Sequence, residues 1–94
     1  MVSAFDEARA ACTARWREPS TEWRYPDGEA IALWSLGGSH VGLTREAGGR
    51  LRLWGVADGV PVPCWPISNA TPLPDALDAA ARWLAEHNDP TKGP

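Results

Sequence analysis

Apolar and polar residues change rhythm twice along this chain. Over residues 3–16, Phe5, Ala8, Cys12 and Trp16 recur near helical spacing among alanines and charged residues. That predicts a first helix with a narrow apolar stripe. Ser3 suits its N-cap, and Asp6 and Glu7 fall in the first turn, where the helix dipole favours acids. Pro19 ends any continuation.

The period then shortens. Glu22–Tyr25, Glu29–Leu36, His40–Arg45 and Arg50–Val56 read as short strands. Pro26-Asp27-Gly28, Gly37-Gly38-Ser39 and Ala47-Gly48-Gly49 separate them as turns. Turns so closely spaced predict an antiparallel meander. Val60–Pro66 holds Pro61, Pro63 and Pro66. So few backbone donors make it an edge strand or an extended strap. Helical spacing returns over Pro72–His87, with Leu73, Leu77, Ala80 and Leu84 in the stripe, Thr71 as N-cap and Pro72 at the first position. Residues 88–94 read as a frayed tail. The expectation is one α+β domain over residues 1–94: N-terminal helix (1–16), antiparallel meander of three to five short strands (22–65), C-terminal helix (72–87).

Strand register decides which side chains share a face. If the two glycine turns are three-residue loops, Leu33, Leu43 and Leu53 form one row and Trp34, Gly42 and Trp54 the other. Gly42 would then floor a slot between two indoles. If both are two-residue Gly-Gly loops, Trp34, Val41, Leu43, Trp54 and Val56 share a face. Both registers place Trp34 and Trp54 on one face, and both leave large apolar residues on each side of the sheet. A sheet with one solvated face alternates more cleanly. Either the helices cover opposite faces, or both cover one and something else covers the second.

Composition sharpens this picture at one point. Six residues of the 94 are Trp, against one Phe and one Tyr. Trp is a frequent anchor of binding sites. Net charge is −3, which argues against a non-specific nucleic-acid binder. Arg and aromatic residues do interleave at Arg15-Trp16-Arg17, Trp23-Arg24-Tyr25 and Arg50–Trp54. Arg stems packed over indole faces account for that pattern. The preference for Arg over Lys suits a GC-rich, bacterial coding sequence. Cys12 and Cys64 are isolated thiols with no Cys/His cluster, which fits a reducing cytoplasm, no zinc site and no other cofactor; a bridge between them stays open. No apolar run reaches the ~20 residues of a membrane span.

The function expected is a non-catalytic protein–protein interaction module, of adaptor, inhibitor (immunity-type) or accessory kind. It would use a Trp-bearing sheet face for a protein partner or for a homodimer. Its binding residues would be Trp34, Trp54, Arg52, Gly42 and His40. The first alternative is a binder of a small apolar or aromatic ligand in the Trp34/Trp54 slot. The second is a cofactor-free enzyme using His40 or Cys64, with His87 as a formal partner for Cys64.

Overall fold

The computed structural model describes residues 3–87. The tail expected over 88–94 lies outside the described residues. Two helices, α1 (Ala4–Arg15) and α2 (Leu73–His87), flank five strands: β1 (Thr21–Arg24), β2 (Ala30–Leu36), β3 (Ser39–Arg45), β4 (Leu51–Val56) and β5 (Cys64–Ile67). The strands lie in the sheet in the order in which they occur in the chain, all antiparallel. This is the α+β fold with terminal helices and a central meander. The proline-rich segment is narrowed to Cys64–Ile67 and forms an edge.

Ser3 caps α1 by accepting the Asp6 N–H. Thr71 does not cap α2. It closes a small turn with Ser68 instead, and the first helical hydrogen bonds of α2 run from Asp75 and Ala76 to the Pro72 carbonyl. Pro72 therefore stands just outside the helix, where its missing N–H is harmless.

The turns do not share one geometry. Gly37 and Gly38, at φ +64° and +93°, make a two-residue turn with Leu36 paired to Ser39. Only a residue without Cβ takes two successive positive φ values easily. Around residues 46–50, Gly49 N–H donates to the Glu46 carbonyl and Glu46 N–H to the Arg50 carbonyl. That is a three-residue loop, a type I turn closed by a glycine bulge. Tyr25–Glu29 repeats the same two bonds.

The mixture of turn lengths overturns one expectation. Trp34 pairs with Val41, whereas Trp54 pairs with Gly42. Val41 and Gly42 are consecutive, so the two indoles point to opposite faces.

Both helices pack on the Trp34 face. Phe5, Ala8 and Cys12 of α1 and Ala76, Leu77, Ala80 and Leu84 of α2 meet Ala30, Ala32, Trp34, Val41, Leu43 and Leu53 in one buried cluster. Burying each large aliphatic or aromatic side chain there contributes roughly 1.5–3 kcal/mol. Trp34 is wholly buried. Its Nε1 donates to the Arg17 carbonyl at 2.7 Å, and Trp16 meets it edge-on with centroids 5.9 Å apart. Trp83 lies over Gly55, where a Cβ would stand 2.6 Å from its ring. Arg15 bonds Asp78 at 2.8 Å and ties α1 to α2.

Candidate functional site: the open face of the sheet

Among the described residues no helix lies on the opposite face. Alternation along the strands puts Trp23, Ile31, Leu33, His40, Gly42, Thr44, Trp54 and Val56 on it. Trp23 is 45% exposed and Val56 36%. Ile31, Leu33 and Trp54 are half-buried by their neighbours alone.

Trp54 is the centre of this surface. Its indole lies flat on Gly42, where an added Cβ would stand 2.1 Å from Cζ2. Its Nε1 donates to Thr44 Oγ1 at 2.8 Å. Gly42 thus floors one indole, not a slot between two. Trp34 is removed from the binding set, because it belongs to the core on the other side.

Beside Trp54 runs an open groove of about 590 Å³. Ile31, Val62 and Trp54 supply its apolar wall, with Glu29, Glu46 and Arg52 at its polar end. Arg52 is exposed, its Nε 3.9 Å from Glu46 Oε1. The Asp27 carboxylate beside it, with a smaller push from Glu46, holds the Glu29 carboxyl above its ordinary range. Negative charge is therefore in excess at that end, although Arg45 donates to the Gly28 carbonyl nearby.

His40 reaches the same face at the far end, with Nδ1 3.1 Å from Ser35 Oγ across the β2–β3 pair. Among the described residues no carboxylate hydrogen-bonds His40. Cys64 also lines the groove. It sits two strands away from His40, roughly 10 Å at the ordinary strand spacing, outside hydrogen-bond reach. His87 lies under the helix-covered face, where its carbonyl accepts from Ser39 Oγ at 3.4 Å. The Cys64/His87 pair is therefore not formed. Nor is a Cys12–Cys64 bridge: both thiols are free, one in the core and one on the open face. Burial pushes the Cys12 thiol up to about 12, which makes it inert. Among the described residues no three His, Cys, Asp or Glu side chains converge on a metal position, and no helix is long and apolar enough to cross a membrane.

Trp23 is the surface residue that reading by strands missed. The signal was present: a three-residue Pro26-Asp27-Gly28 loop pairs Tyr25 with Glu29 and hence Trp23 with Ile31, on the open face.

The comparisons with known proteins return no match among family models, curated proteins or solved structures.

Proposed function

We propose that the chain is a non-catalytic protein–protein interaction module that docks a partner on the open face of its sheet. One observation carries the reading. Both helices pack on one side, so among the described residues Trp23, Ile31, Leu33, Trp54 and Val56 stand together without a cover. Contiguous exposed apolar surface of this kind marks interaction sites. The partner is a protein presenting an apolar patch flanked by basic side chains. Asp27, Glu29 and Glu46 supply the complementary charge; their crowding, with Asp27 first, is what raises the Glu29 carboxyl. An adaptor, inhibitor or accessory role in the cytoplasm fits such a surface.

Photo-cross-linking tests it. A cross-linker at Val56 on the open face is compared with one at Glu86, exposed on α2. The reading requires one discrete protein adduct from Val56 and none from Glu86. Ile31→Lys must abolish the adduct, and neutralising basic residues of the captured partner must weaken binding. Equal adducts from both positions, or none, refute it.

The groove favours a second reading. Its volume lies within the range of small-ligand sites, and an indole wall ending in carboxylates suits an organic cation with an apolar body. Titration calorimetry with aryl-alkylamines decides this reading; no heat beyond dilution removes it.

A further inference from the structure

The two edges of the sheet are built differently. On the β5 side, Gly55 N–H donates to the Pro63 carbonyl at 3.2 Å. That bond sets the phase of the β4–β5 ladder, in which Cys64 and Pro66 turn their backbone groups outward. Pro66 has no N–H. An incoming strand would meet a missing donor at one of the outward positions, so this edge is blocked.

Among the described residues the β1 edge has no such block. Tyr25 N–H donates to the Glu29 carbonyl at 2.9 Å. In that phase Thr21, Trp23 and Tyr25 turn their backbone groups to β2, while Glu22 and Arg24 turn theirs away from the sheet. Their side chains fall on the helix-covered face. Glu22 sits between Arg9 and Arg24, and Arg24 between Asp6 and Glu22. The Arg24 side chain is still 52% exposed. Trp23, between them, projects onto the open face.

We propose that β1 pairs with β1 of a second copy of this chain, antiparallel and centred on Trp23. The segment Glu22-Trp23-Arg24 is complementary to itself in that register and not in its neighbours. Glu22 lies opposite Arg24 of the second copy, and Arg24 opposite its Glu22. The outward N–H and C=O groups of both residues are satisfied reciprocally. Moving the register by one hydrogen-bonded pair would set Glu22 against Glu22, or Arg24 against Arg24, and like charges directly opposite are unfavourable. Charges on a short edge strand ordinarily keep strands apart. Here their sign and spacing admit one arrangement.

Trp23 meets its own copy in a non-hydrogen-bonded pair, the position of closest side-chain approach, with Cα atoms ~4.5 Å apart. Two indoles are thereby partly withdrawn from water. The two-fold axis stands perpendicular to the sheet, so all four helices fall on one side and the two open faces join into one continuous floor. The pairing uses the edge rather than the floor, so it stands or falls independently of docking on the open face.

Cross-linking reads the register directly. Trp23→Cys is made in a Cys64→Ser background, with Cys12 buried and inert, and exposed to mild oxidant. The expected Cα separation lies within the range a disulfide spans, so a linked dimer is the expected result. Thr21→Cys in the same background stays monomeric, because Thr21 faces Tyr25 of the second copy and lies roughly 14 Å from its own equivalent. Equal linking by both variants, or none by Trp23→Cys in protein whose circular dichroism is native, overturns the proposal.

Sedimentation of unlinked protein supplies the second arm. The unmodified chain is expected to run at twice its monomer mass at about 0.1 mM. R24E sets Glu against Glu22 and is expected to weaken self-association about tenfold at low salt, and less at high salt. The exchanged variant E22R/R24E restores opposite charges with itself but not with the unmodified chain. It is expected to form its own dimer and no mixed one. Monomeric unmodified chain at 1 mM, or free mixing of the two forms, refutes the register.

Discussion

Gly42→Ala isolates the contact that shapes the open face. The added methyl would stand 2.1, 2.2 and 2.6 Å from Cζ2, Cε2 and Cη2 of Trp54. Carbon atoms rest about 3.5–4.0 Å apart, so the indole must lift by roughly 1.5 Å. The Trp54 Nε1–Thr44 Oγ1 bond, 2.8 Å long, is then carried beyond hydrogen-bond reach. Losing that bond beside a buried Thr44 costs about 1 kcal/mol or more, and overpacking adds about 1–3 kcal/mol. The expected destabilisation is about 3 kcal/mol. With an unfolding slope of about 1.5 kcal/mol/M in urea, the midpoint falls by about 2 M. In a Trp54→Ala background those three close contacts are gone. Ala is then better than Gly in a strand by about 0.5–1 kcal/mol, so the sign reverses. Urea unfolding followed by far-UV circular dichroism, not fluorescence, measures all four forms of the cycle. Equal cost of Gly42→Ala with and without Trp54 would refute the idea that the glycine exists to seat this indole.

Three further outcomes are expected. A thiol reagent labels Cys64 in native protein and reaches Cys12 only in denaturant; rapid native labelling of both would contradict the buried Cys12, whose thiol is pushed up to about 12. Arg24 and Ser3 hold the Asp6 carboxyl below its ordinary range; burial pushes Glu22 up, but Arg9 and Arg24 outweigh it and hold it low. Carboxyls lowered by folding stabilise the fold above their unfolded values, and that stability is lost as pH falls through the folded ones. Urea midpoints should therefore drop below about pH 4, and Arg24→Gln should flatten the drop; an unchanged slope would show that these pairs contribute nothing. Asp27→Asn keeps the oxygen that accepts the Glu29 N–H at 3.0 Å but removes the neighbouring charge. The Glu29 carboxyl should then titrate lower by NMR, and a stationary titration would place the cause elsewhere.

Much of this fold is legible in the chain, because its signals are local. Pro19, the Ser3 cap, the Leu77/Leu84 stripe and the glycine turns each mark an element within a few residues. The faces of the sheet are harder, since they depend on the parity of loop lengths. Gly37-Gly38 and Gly48-Gly49 look alike, yet the first is the whole of a two-residue turn. In the second, Ala47 enters the loop and only Gly49 needs a positive φ, +90°. One residue of difference sends Trp34 into the core and Trp54 to the surface. That both helices choose the Trp34 face is a tertiary outcome that no single segment specifies. Gly42 and Gly55 show the difficulty: each is small to admit one particular indole, Trp54 or Trp83, from an element distant in sequence or on a different strand.

The spatial order of the strands repeats their order in the chain, and this bears on how the protein folds. Each hairpin closes a loop of two to seven residues, so the sheet can assemble from local events with little chain entropy lost at each step. Contacts such as Arg15–Asp78 join α1 to α2 and must wait for the second helix. During synthesis the complete meander therefore emerges with α1 alone against it, and Gly55 and Trp65 are still uncovered where Trp83 of α2 will sit. Docking of α2 is the closing event of folding. It leaves one bare surface in place of two, and a chain truncated before Leu73 is expected to aggregate more readily than the full one.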